Sequence, residues 1–91
     1  MGCLPVFVLY VIDKKDSEVI GVYTSLSKAV DQLIKSSGYT VEVSTGKLLR
    51  YGRGCNFDSL DSLHNHLQEQ MEFYDFNIIY RIEQRFLEID L

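Results

Sequence analysis

The chain has 91 residues, 46% of them hydrophobic, and a formal net charge of −4, which suits one domain, residues 1–91, with one modest core and excludes low-complexity and disordered classes. The acidic balance disfavours a non-specific nucleic-acid binder, which needs cations to displace counterions from phosphate. No apolar run approaches the about 20 residues of a membrane-spanning helix.

The stretch from Leu4 to Ile34 organises the rest. Leu4–Ile12 is uncharged and rich in Val, Ile, Phe and Tyr, which predicts a strand. Val6, Val8, Tyr10 and Ile12 share one face, and Phe7, Leu9 and Val11 the other, so the strand is apolar on both. It lacks the basic flank and cleavage site of a signal peptide. With Cys3 and Cys55 as the only cysteines, the expectation is a cytoplasmic protein with free thiols. Met1-Gly2-Cys3 opens like a myristoylation signal, but Val6 stands where Ser or Thr belongs. Asp13–Ser17 reads as a turn and Val19–Tyr23 as the returning strand. Thr24 is the predicted N-cap of a helix with an apolar stripe at Leu26, Ala29, Val30, Leu33 and Ile34. Gly38 sits where a left-handed C-terminal cap falls.

Tyr39–Val43 alternates, with Tyr39, Val41 and Val43 on one face, as a half-buried strand does. Ser44-Thr45-Gly46 is turn chemistry, with Gly46 free to take positive φ, and Lys47–Tyr51 reads as a shorter fourth strand. Asp58 is expected to cap a second helix running to about Glu72, with Leu60, Leu63, Leu67, Met71 and Tyr74 as its stripe. A shift of 34 residues lays Tyr23-Thr24-Ser25-Leu26 on Phe57-Asp58-Ser59-Leu60. A duplicated ββα unit would produce that match, and so would any two strand-to-capped-helix junctions. Phe76–Leu91 alternates as a strand until the apolar parity changes at Leu87, Ile89 and Leu91, which a β-bulge near Gln84–Phe86 would explain.

The predicted fold is therefore α+β, a mostly antiparallel sheet with two helices in the order ββαββαβ. The run Val6-Phe7-Val8-Leu9-Tyr10, a polar turn, Val19-Ile20-Gly21-Val22-Tyr23-Thr24-Ser25 and Lys28-Ala29 resembles small α+β domains of bacteria, their phages and large DNA viruses. Tyr80–Glu83 with Leu87–Asp90 is similar to the end of that pattern, while Tyr39–Tyr74 departs from it. The resemblance covers about a third of the chain and implies a fold but no activity.

Chemistry is sparse. His64 and His66 lie two apart on the second helix, so they point to different sides and cannot share a metal. His64 is expected to be half-buried and hydrogen-bonded, His66 solvent-facing. Cys55 before the helix could be activated, but His64 lies about 9 Å further along the axis at 1.5 Å per residue. Lys47, Arg50 and Arg53 with Tyr51 form a basic tract in a chain whose residues 58–91 carry eight acids against two arginines. No phosphate-loop, dinucleotide or Ser-His-Asp pattern is present. The expectation is a small accessory protein of viral or phage type, not an enzyme, with no cofactor and no metal. It would act by protein–protein contact through a surface tract of Lys47, Arg50, Tyr51 and Arg53. The alternative is a regulatory domain that binds a small ligand or nucleotide at Arg50–Cys55. Because both faces of the first strand are apolar, something must cover the second. A homodimer stacked through Phe7, Leu9, Val11, Leu87 and Ile89 would do it, as would the C-terminal strand folding back.

Overall fold

The fold is taken from a computed structural model that describes residues 2–50, 57–75 and 77–89. The uncharged first run forms β1 (Gly2–Ile12), and Ser17–Tyr23 returns antiparallel as β2. The pairing shifts between Leu9, opposite Gly21, and Tyr10, opposite Val19, so Ile20 is the extra residue of a bulge. That bulge turns Ile20 onto the core side with Tyr23. Gly21 makes room for the Tyr23 ring, since a Cβ at that position would fall on the Tyr23 hydroxyl and push the ring aside.

Helix α1 (Leu26–Ser36) begins at Ser25, whose hydroxyl accepts from the Lys28 N–H at 3.2 Å. Helix α2 (Leu60–Gln70) begins the same way at Ser59, which accepts from the Ser62 N–H at 3.2 Å. The predicted caps, Thr24 and Asp58, therefore stand one residue too early. In each case the extended residue directly before the leucine makes the capping bond. Ser37 closes α1, and Gly38 takes φ +89 just beyond it, as its position predicts.

After α1 come β3 (Tyr39–Val41) and β4 (Leu48–Arg50), a two-stranded sheet of their own. The predicted strand to Val43 is too long. The Glu42 N–H donates to the Lys47 carbonyl and the Gly46 N–H to the Glu42 carbonyl, which closes the turn early and leaves Val43 fully exposed.

Helix α2 ends at Gln70 because Met71 turns left-handed at φ 57, its N–H bonding the Leu67 carbonyl. Met71 packs against the core, which holds it in a conformation that glycine usually supplies. The chain then runs into β5 (Glu72–Asp75) and β6 (Ile78–Ile89). The order is thus ββαββαββ. Tyr74, expected on the helix stripe, is instead exposed on β5. The main sheet has the order β2-β1-β6-β5, antiparallel throughout. The two ββα units match at their helices and caps only, since the first hairpin lies in the main sheet and the second outside it.

β1 and β6 pair without a register shift from Gly2 opposite Ile89 to Ile12 opposite Ile79. No bulge interrupts β6 at Gln84–Phe86. The apolar parity changes there because the strand runs past its cover. Phe86 and Leu87 point to opposite faces, and both are exposed. Further back, Leu9, Tyr80 and Ile82 of the sheet pack on Ala29, Val30 and Leu33 of α1 and on Leu63 and Leu67 of α2. Both helices lie on one face, and the molecule measures 48 × 33 × 18 Å, about two layers thick.

Candidate functional site

The basic tract is the first sequence-predicted site, and the structure takes its central residue out of it. Arg50 was expected on the surface, but its side chain is 6% exposed and pairs with Asp75, 2% exposed, at 2.6 Å. Its Nε donates to the Ser37 carbonyl at 3.0 Å, satisfying a carbonyl at the C-terminus of α1, where a cation is also favoured by the helix dipole. The rings of Tyr39 and Phe73 flank the guanidinium, 4.8 and 5.4 Å from their centroids, within cation–π range. Arg50 thus ties β4, β5 and α1 together, and its position rules it out as a surface contact. Lys47 is exposed in the β3–β4 turn. Tyr51, Arg53 and Cys55 lie outside the described residues, so the tract and the ligand loop are not assembled by what is described. Asp75 went unnoticed in the sequence, because no local pattern links it to Arg50, twenty-five positions earlier.

His64 is half-buried between the helices, as expected. Its Nε2 lies 3.2 Å from Asp31 Oδ1 and 3.5 Å from Ser27 Oγ. Both partners meet the same nitrogen, whereas a catalytic relay needs the carboxylate on Nδ1 and the hydroxyl on Nε2. The arrangement clasps α1 to α2. His66 is exposed, its ring centroid 5.2 Å from that of Phe57. Among the described residues no group of three or more His, Cys, Asp or Glu is placed to hold a metal ion. A groove of about 400 Å³ between α1 and β3, walled by Ile34, Tyr39, Val41 and Leu60 with Asp31 and Lys35 among its lining, shows no converging set of polar groups.

The residues expected at a self-association surface divide. Leu9 is fully buried in the core, with Phe7 and Val11 packed against it, so these three serve the helix-covered face and cannot meet a second copy. The face opposite the helices carries its own cover. Val6 and Val8 lie there, 3% and 8% exposed, beside Arg85 and Glu83 of β6 in direct register. Arg85 Nη2 pairs with Glu83 Oε2 at 2.7 Å, and Arg81 Nη2 with Glu72 Oε1 at 2.6 Å. Long charged side chains shield apolar neighbours while keeping their heads in water. The Arg81 guanidinium holds the Glu72 carboxyl below its ordinary range, and Glu72 in turn strengthens the charge on Arg81. The C-terminal strand does not fold back as a cap, since β6 is hydrogen-bonded inside the sheet.

Val19, Val22 and Tyr74 stay exposed on the outer strands of that face, and a second exposed apolar group lies beyond them. β2 pairs with β1 only from Phe7 onward, and β5 pairs with β6 only as far as Arg81. Beyond those limits Gly2–Pro5 and Phe86–Ile89 continue as a two-stranded arm with no flanking strand among the described residues. Phe86 is 65% and Leu87 51% exposed, and Leu4 and Cys3 are exposed with them. Leu87 is therefore the one predicted self-association residue that the structure leaves at the surface. The side chain of Ile89 lies outside the described set. The parity change at Leu87 was the signal of this arm in the sequence.

The fold and this surface define an α+β protein with helices on one face of its sheet and a projecting apolar arm. No family model matches the chain, and no curated protein and no solved structure matches it. No helix among the described residues is long and apolar enough to cross a membrane.

Proposed function

We propose that this is a small non-enzymatic accessory protein of the cytoplasm that acts by protein–protein contact, with the β1–β6 arm as its contact element. The observation that carries the reading is the exposure of Phe86, Leu87 and Leu4 on a ribbon that no described helix covers. Exposed apolar strands with unpaired edges are templates for strand addition by another chain. Photo-crosslinking in native host extract tests the reading, with the reactive group placed at Leu87, or at Val43 as an exposed apolar control. The expected outcome is a discrete adduct from Leu87 and none from Val43. Identical adduct patterns from both positions would refute the arm as the contact element.

A further inference from the structure

The edge of β6 shows what kind of chain it can accept. The Ile82 N–H donates to the Met71 carbonyl at 2.8 Å, so the main chain of Ile82 points away from β1. Main-chain groups alternate in direction along a strand, and the β1–β6 register is unbroken. Gln84, Phe86 and Glu88 therefore also point outward, and beyond Ile82 no described strand meets them. The outer edge of β1 differs. Leu9 faces Gly21 of β2, which places Pro5 in the outward set, and proline offers that edge no N–H. One edge of the arm is blunted, and the other is open among the described residues.

We infer that the open edge pairs with the same edge of a second copy, antiparallel about a two-fold axis at Phe86, an inference that rests on the arm being the contact element. The sequence of the edge selects this register. Centred on Gln84 or Arg85, the pairing reaches Ile82, whose N–H is already bound to Met71. A centre at Arg85 also sets two guanidinium groups directly opposite, and a centre at Glu88 does the same with two carboxylates, arrangements that destabilise a sheet. Centred on Leu87, Phe86 faces Glu88 of the second copy, an apolar ring against a carboxylate. Centred on Phe86, Gln84 faces Glu88 of the second copy, an amide donor against a carboxylate acceptor, and Phe86 faces its own counterpart as a cross-strand aromatic pair. The contact is isologous and closes on itself, so it yields dimers and not fibres. One strand edge buries less than the about 1,200 Å² of a standard stable interface, so the dimer forms in a concentration-dependent way.

Sedimentation equilibrium of the purified protein, from low micromolar to near-millimolar concentration, is the primary test. The apparent mass should rise from 10.5 kDa towards twice that value. Phe86→Pro removes an outward N–H and none that bonds β1, so it should hold the monomer mass while leaving the circular dichroism spectrum unchanged. Disulfide trapping gives an independent readout in a Cys3→Ser, Cys55→Ser background. Phe86→Cys should oxidise to a linked dimer, since facing residues lie about 5.5 Å apart across such a pair. Gln84→Cys should stay unlinked, because its two copies fall out of register. A monomer mass at every concentration, equal trapping at both positions, or a dimer undiminished by Phe86→Pro would each overturn the inference. All of these use purified protein alone, so their failure leaves the extract crosslinking at Leu87 to judge the wider reading separately.

Discussion

Arg50 shows how one residue in a basic tract can be structural. Its nearest sequence neighbours in charge, Lys47 and Arg53, suggested a surface, but a strand position fixes direction by parity, and Arg50 opposite Tyr39 points inward. Asp75 meets it there. Removing one partner of a buried ion pair costs about 3–5 kcal/mol, because the other charge stays buried with that attraction lost. Arg50→Ala and Asp75→Ala should each lower the urea unfolding free energy by that order. Parental stability for either variant would show that the pair is solvated. The caps carry a second residue-scale prediction. Ser25→Ala and Ser59→Ala should each destabilise by about 0.5–2 kcal/mol, while Thr24→Ala and Asp58→Ala should change the denaturation midpoint far less. Cap positions were legible to within one residue because the helix stripes fix phase, but which of two adjacent cap-forming residues makes the bond depends on backbone angles that composition does not encode.

At the scale of elements, periodicity carried most of the reading. The strands of the first hairpin, the stripe of α1 and the first half of α2 follow from it directly. It fails where an element is short or where tertiary contact overrides it. β5 is only four residues long and follows α2 with a single left-handed Met71 between them, so its residues read as one more helical turn. The β6 pattern imitates a bulge for a different reason. Parity reports which face is covered, and the cover changes along this strand while the register does not. The arm should consequently be the least protected part of the sheet. Hydrogen exchange of main-chain amides should be fast at Leu4 and Leu87, which have few buried neighbours, and slow at Leu9 and Ile82, which sit under both helices. Equal protection of the two pairs in the dilute monomer would mean that the arm is held by contacts beyond the β1–β6 ladder.

The molecule as a whole is a two-layer structure whose open sheet face is shielded by charge beside Val6 and Val8 and leaves Val19, Val22 and Tyr74 exposed on its outer strands. The sequence predicted that this face needs cover, because β1 is apolar on both sides. The identity of the cover was not legible, since it depends on which strand lies beside β1, and the β1–β6 pairing joins opposite ends of the chain. Once β6 is the neighbour, Glu83 and Arg85 fall next to Val8 and Val6, and Arg81 next to Glu72 on β5. This makes stability depend on pH in a definite direction. Arg81 lowers the folded-state pKa of Glu72 relative to its ordinary value of 4.5. A carboxylate with a lowered folded pKa contributes stability that is fully present above the unfolded value and is lost as pH falls through the folded one. The chain also passes through zero net charge near pH 5.0, where exposed apolar arms associate most readily, so unfolding is best followed at low protein concentration. Urea midpoints of the parent and of Glu72→Gln should differ at about pH 7 and converge as pH falls through the lowered folded-state pKa of Glu72, below which both carry a neutral side chain at that position. Arg81→Ala should remove the same pH-dependent increment. A gap between parent and Glu72→Gln that stays constant across this range would show that Glu72 acts through packing and that its pairing with Arg81 does not stabilise the open face.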